Sequence, residues 1–192
     1  MMYRIEKVLN HNTVIAIHQD KHKEVLIMGK GVGFGRKVAE RIEVRPEDRL
    51  YSLQKYKERG GAKEIVKSIA PEFLELTNAV LDEAEKVFGK IDRMVLFPLA
   101  DHIAFAVKRI QNHEQISNPL TEDIRVLFHM EFKVAESIRP LLKKQFQIEI
   151  EDDEIGYVAL HIHSAIEDEK VSQAMQMARS VRECISMVEE AI

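Results

Sequence analysis

Glu24-Val25-Leu26-Ile27-Met28-Gly29-Lys30-Gly31-Val32-Gly33-Phe34-Gly35-Arg36-Lys37 is the stretch that decides the fold of the first third of the chain. Its apolar, β-branched start reads as a strand closed by Gly29. The glycines that follow permit positive φ and close backbone approach. Lys30, Arg36 and Lys37 can meet phosphates, and Phe34, set between glycines, can stack on an unpaired base or sugar. A Gly-x-Gly-x-Gly run that leads into more strand, not a helix, argues against a dinucleotide-binding turn, and no GxxxxGK[ST] run exists to form a Walker loop. A mobile hairpin with solvated charges is the plain alternative.

Upstream, Tyr3 to Leu9 alternates, with Tyr3, Ile5 and Lys7 on one side and Arg4, Glu6 and Val8 on the other. Asn10-His11-Asn12 is a turn cluster, Thr13 to Ile17 a β-branched run, and Gln19 to Lys23 a second turn. Downstream, Arg41 to Val44 and Arg49 to Leu53 read as strands with Pro46 between them. The block predicts an antiparallel meander of about four strands. So few strands rarely make an independent core, and dimerisation is the expected remedy.

Charge divides the chain near residue 57. Residues 1–57 hold 12 Lys or Arg against 7 Asp or Glu; residues 58–192 hold 16 against 25, with five of the eight histidines. A basic β module joined to an acidic helical one suggests a nucleic-acid reader with a regulator attached. At 192 residues and 45% apolar content the chain fits a globular protein of one domain or two small ones. No run of about 18 apolar residues is present, so no membrane insertion is expected. The N-terminus lacks the apolar core of a signal peptide, and Cys184 stands alone, without a disulfide framework or a CxxC pair. These features favour the cytoplasm and imply no metal or cofactor.

The second block is amphipathic at helical spacing. Gln54 to Gly61 reads as a linker ending in Gly60-Gly61. Pro71 suits a first helical position; Phe73, Leu76, Val80, Ala84 and Val87 follow, and Gly89 is a natural stop. Pro98 opens the next segment, with Ile103, Ala106, Val107 and Ile110 on its apolar face. Asn118-Pro119 starts another helix, which Pro140 should kink or end. Glu151-Asp152-Asp153-Glu154 puts negative charge at the start of a fourth, as the helix dipole favours. Residues 171–192 form a last helical stretch with only itself to pack on.

The histidines are the chemical centre. His102 follows Asp101, and His161 and His163 lie two apart on one helix, about 200° around its axis, so they face different environments. A zinc helix prefers histidines at i and i+4. Partly buried, hydrogen-bonded His102 and His161 are the plain structural reading. The functional one is phosphorylation: a neutral imidazole with a pKa near 6.5 is a good phosphoryl acceptor. Asp101 is the candidate to hold its tautomer. A phosphoryl group at a helical interface near carboxylates would reorganise it.

Lys7-Val8-Leu9-Asn10-His11-Asn12, Met28 to Phe34, Leu99-Ala100-Asp101-His102-Ile103-Ala104-Phe105-Ala106 and Glu154 to Ala165 occur in an order that resembles the transcriptional antiterminators of the bacterial sugar phosphotransferase system, the BglG/SacY family. GKGVGFG and the HIHSA ending are most similar to its glucose-type member. The resemblance implies an α+β multidomain chain. Residues 1–57 would be a dimeric antiparallel β-sheet RNA-binding domain, 58–68 a linker, 69–170 an all-α bundle of about five helices forming the first regulation domain, and 171–192 the start of a truncated second one. It implies that Lys7, Asn12, Gly29, Lys30 and Phe34 touch RNA; Lys30 stands where an Arg often occurs, a point charge replacing a fork. It implies that His102 and His161 are phosphorylated, with Asp101 supporting and His163 at most a minor acceptor. The partners implied are a leader-mRNA hairpin, whose binding prevents terminator formation, a sugar-specific enzyme II component as phosphoryl donor, and a second copy of the chain. Phe128-His129-Met130-Glu131-Phe132 departs from the family pattern, and His129 is read as local packing. The expected protein is not an enzyme. The alternatives are a histidine phosphocarrier, a metal-dependent phosphohydrolase, or a DNA-binding activator, although no helix-turn-helix precedes the second block.

Overall fold

A computed structural model describes residues 1–54, 61–114, 116–167 and 169–191. It divides into two compact units, Met1–Glu75 and Leu76–Ile192.

The first unit is a five-stranded antiparallel sheet: β1 (Met2–Asn10), β2 (Thr13–His18), β3 (Glu24–Met28), β4 (Arg41–Glu43) and β5 (Arg49–Ser52). The strand order is β4-β1-β2-β3-β5. The first three strands form a meander, as expected. The last two go to opposite edges, which hydrophobic alternation cannot reveal. Tyr3, Ile5, Val14, Ala16, Val25, Ile27, Val32 and Ile42 form one apolar cluster. Ile15, Leu26 and Tyr51, cross-strand neighbours, are buried as well. The central strands are thus apolar on both faces.

The alternation predicted for β1 breaks at a register shift between Ile5 and Lys7. A bulge inserts one residue and reverses the side-chain sense. Tyr3 and Ile5 point into the core, but Lys7 is exposed and Val8 packs on the cluster. Of the predicted linker, residues 58–60 lie outside the described residues, and Ala62–Ser68 forms helix α1 with Ala62, Ile65 and Val66 buried.

The helices of the second unit begin with α2 (Pro71–Phe88), which crosses from the first. It starts at a proline and stops before Gly89, whose φ of +78° only glycine adopts without strain. A 3-10 turn, Arg93–Val95, leads into α3 (Leu96–Gln111). Pro98 falls in the first turn of α3, where its missing N–H is no loss. The long helix expected after Pro119 is instead three short ones: α4 (Thr121–Leu127), α5 (His129–Ala135) and α6 (Ile138–Phe146). Pro140 therefore lies in the first turn of a helix where a kink or an end was expected. Next come α7 (Asp152–Glu167) and α8 (Val171–Glu190).

Helix α7 is central, packing against α3, α4, α5, α8 and the 3-10 turn. Its apolar face, Ile155, Val158, Ala159 and Ile162, is almost fully buried. Ile155, Val158 and Ile162 each contribute roughly 1.5–3 kcal/mol of transfer free energy. Helix α8 does not pack on itself alone: Ala174 and Ala178 are buried, α8 contacts α4 and α7, and Arg182 pairs with Asp123 on α4 at 2.9 Å. No helix among the described residues is long and apolar enough to cross a membrane.

Candidate functional site

The glycine-rich loop of the first unit is pinned. Gly29 N–H donates to Asn12 O (3.0 Å), Gly33 N–H to His11 O (2.9 Å), and Gly31 N–H to the side-chain oxygen of Asn12 (2.8 Å). Asn12 N–H in turn donates to Asn10 Oδ1 (2.9 Å). Val32 anchors the loop in the core at 3% exposure. From the other side, Arg45 donates to the Lys30 carbonyl (2.9 Å) and to Asp48 (2.7 Å). Gly29 is tied to this pair by space: a Cβ there would lie 1.9 Å from Asp48 Oδ1. A Cβ at Gly33 would meet Asn10 O at 2.2 Å. The mobile-hairpin alternative does not describe a loop held this closely.

On this base Phe34 is 68% exposed, edge-on to His11 with ring centroids 5.2 Å apart. An exposed aromatic costs hydration free energy and offers a stacking face. Lys30 and Lys7 are exposed. Asn12 gives its side-chain carbonyl to the loop and keeps an amide NH2 on the other side. Within the unit that NH2 meets Glu75 Oε2 at 3.4 Å, and Glu75 also accepts from Asn10 Nδ2 (2.5 Å). Of the five residues proposed to touch RNA, Asn12, Gly29, Lys30 and Phe34 belong to the loop or its staple, whereas Lys7 sits on the bulged strand β1. Arg45 and Asp48 join this support through tertiary contact. Their three-residue spacing across Pro46 was the available signal.

In the second unit, α3 and α7 bring His102 and His161 together, ring centroids 5.5 Å apart, with Tyr157 at 5.5 Å from His102. His102 Nε2 stands 3.1 Å from Glu154 Oε2, at ion-pair distance but without hydrogen-bond geometry. Glu154 is 1% exposed, and its other oxygen accepts from Arg109 at 2.6 Å. Burial alone would raise the Glu154 pKa; His102 and Arg109 more than offset it and hold the carboxyl below its usual value. His161 is pushed down to about 3, first by burial and then by its electrostatic interaction with the neighbouring His102, so its ring is neutral. Its Nδ1 is buried without a hydrogen-bond partner.

His163 faces elsewhere, as the helical angle predicts: its Nδ1 lies 2.9 Å from Glu131 Oε1, and its ring lies against Phe128 at 4.3 Å. The departing segment thus supports His163. His129 is exposed, not a packing residue as expected, because it occupies the first position of α5. Asp101 makes no described contact with the His102 ring; Glu154 takes that place. Glu154 precedes His161 by seven residues, and Arg109 follows His102 by seven. This two-turn spacing, which keeps each pair on one helical face, is the signal the sequence carries for them. Among the described residues no group of three or more His, Cys, Asp or Glu is placed to hold a metal ion.

A sheet with a pinned aromatic loop and a helical unit with paired histidines match two known families. Residues 3–60 match the CAT RNA binding domain and residues 75–165 the PRD domain. The class is therefore an RNA-binding module followed by a regulation module. The GlcA/glcB genes antiterminator of Staphylococcus carnosus (strain TM300) is 34% identical over 170 residues, covering 86% of this chain and 58% of that protein. Protein GlcT of Staphylococcus epidermidis is 27% identical over 192 residues, covering 97% and 66%. The crystal structure of GlcT CAT-PRDI superposes with a TM-score of 0.72 at 30% identity, covering 87% of this chain and 99% of that one. The chain belongs to the BglG/SacY family of antiterminators and is GlcT-like within it. It spans about three-fifths to two-thirds of the length of these two curated relatives.

Proposed function

We propose that the chain binds a looped hairpin in a leader transcript and keeps an overlapping terminator from forming, thereby switching on sugar-transport genes, with glucose as the sugar. The supporting observation is Phe34: an aromatic ring 68% exposed on a loop whose backbone is held at Asn12, Val32 and Arg45. A rigid stacking platform beside an amide and a lysine suits unpaired bases, which a perfect duplex does not present. Lys7, Asn12, Gly29, Lys30 and Phe34 form the RNA face, and two copies of the chain act together in the cytoplasm.

The second unit regulates this binding. His102 and His161 receive phosphoryl groups from a sugar-specific component of the phosphotransferase system. The chain is an acceptor, not an enzyme; the transfer chemistry belongs to the donor. The name of the Staphylococcus carnosus relative as an antiterminator, with the match to an RNA binding domain, supports this reading over a phosphocarrier or phosphohydrolase.

The test is binding of the whole chain to a looped leader hairpin, a perfect RNA duplex and a DNA duplex at two salt concentrations. Tight binding confined to the looped hairpin, and lost in Asn12→Ala and Phe34→Ala, is the expected result. Equal, salt-sensitive binding to all three would leave only a generic basic surface.

A further inference from the structure

We propose that Glu154 is the positioning residue of His102: it holds the ring proton on Nε2, so that the phosphoryl group is received on Nδ1. This rests on the phosphoacceptor reading of His102 given above.

The geometry is specific. Glu154 Oε2 lies 3.1 Å from His102 Nε2, while Oε1 is fixed by Arg109 at 2.6 Å. Arg109 and His102 share α3, and Glu154 reaches them from the first turn of α7. Both Nε2 and Oε2 are buried and meet no other hydrogen-bonding group. A hydrogen bond between them satisfies both of these buried groups.

An ionised carboxylate repels a nitrogen lone pair and attracts an N–H. Glu154 is kept ionised despite its burial because Arg109 and His102 face it. The neutral tautomer of His102 therefore carries its proton on Nε2 and its lone pair on Nδ1. His161 beside it is neutral and brings no competing charge. The carboxylate thus plays the part that an orienting acid plays behind any activated imidazole, setting the tautomer and stabilising the cation that forms.

In the transfer, the bond from phosphorus to the donor side chain breaks, and its electron pair leaves with the donor. The Nδ1 lone pair forms the new P–N bond. The ring becomes an imidazolium that keeps its original proton on Nε2, facing Glu154. No water is consumed and no proton leaves the site during the step.

The experiment uses the whole chain with ring-15N histidine. Long-range proton–nitrogen correlation first reads the His102 tautomer without phosphate; protonated Nε2 is expected, and protonated Nδ1 overturns the proposal. The chain is then treated with phosphoramidate, from which ammonia leaves as the P–N bond to the ring forms. Phosphate on Nδ1 of His102 is expected; phosphate on Nε2, or on His161 alone, overturns it. Glu154→Gln should slow labelling about tenfold and spread it over both nitrogens, with Glu154→Asp restoring part of the preference. An unchanged rate and an unchanged nitrogen in Glu154→Gln would remove Glu154 from the step. The wild-type readings stand even if the variant folds poorly. Absence of label on every histidine, with the expected tautomer present, overturns the phosphoacceptor reading and the role of Glu154 in transfer, but not the tautomer.

Discussion

Gly29 has no room for a side chain. A methyl group there would sit 1.9 Å from the Asp48 carboxylate, which is itself tied to Arg45. Gly29→Ala must push that pair away from the loop, and overpacking of this kind costs about 1–3 kcal/mol. Urea unfolding of Gly29→Ala should show a loss of that size, and hairpin binding should fall with it. His161 carries a pH signature. Its folded pKa of about 3 lies below the ordinary value of 6.5. Above pH 6.5 neither the folded nor the unfolded state holds the proton. Below it the unfolded state takes one up and the folded state does not, so stability falls as the pH drops through the window from 6.5 towards 3. Between pH 7.5 and 5.5 the loss is about 1 kcal/mol for this one group. The urea midpoint should therefore shift less over that range in His161→Gln than in the wild type; an equal shift in both would sink the assignment.

At the scale of elements, the start of α7 does more than complement a helix dipole. Asp152 pairs with Arg125 and Arg139, Asp153 accepts from Asn118 N–H (3.1 Å) and Thr121 Oγ1, and Glu154 faces Arg109 and His102. Three consecutive carboxylates thus hold α3, α4 and α6. Asp153→Ala leaves the Asn118 N–H without its acceptor, at a cost of about 1–3 kcal/mol, while the Thr121 hydroxyl keeps the Asn118 carbonyl at 2.9 Å. Glu151, exposed and next in line, should tolerate the same change within about 0.5 kcal/mol. Denaturation of the two variants side by side checks the contrast. Gly156 behaves in the opposite way to Gly29. A Cβ there meets Asn118 Nδ2 at 3.5 Å and Ile124 Cδ1 at 3.7 Å, ordinary contact distances, within a helix. Gly156→Ala should raise the unfolding free energy by about 0.5–1 kcal/mol, because alanine loses less backbone entropy.

For the whole molecule, the division into two units sets the regulatory question, since RNA contact is proposed in one and phosphorylation in the other. A phosphoryl group on the far nitrogen of His102 adds negative charge to a cluster that already holds the buried carboxylate of Glu154, and this alters the balance of charge between α3 and α7. His102→Asp imitates this. It is expected to lower hairpin affinity of the intact chain without altering the sheet. Affinity measured on wild type and variant under the same salt decides it, and unchanged affinity would disconnect the histidine centre from RNA binding.

Much of this was legible in the residues themselves. Strands β1 to β3, the stop at Gly89, the start at Pro71 and the opposed directions of His161 and His163 all follow from local periodicity and turn chemistry. Four short motifs in order were enough to show the resemblance to a family. Pro140 was misleading because proline is tolerated in a first turn as readily as it ends a helix, and only the break after Ala135 distinguishes the two. The bulge at Lys7, the edge positions of β4 and β5, and the Arg45–Asp48 support under Gly29 belonged to tertiary structure. So did the replacement of Asp101 by Glu154 at the His102 ring. Asp101 is the neighbour in the chain, but adjacent helical residues diverge by about 100°. Which carboxylate reaches a histidine is set by how α3 packs on α7, a long-range contact that local periodicity does not encode.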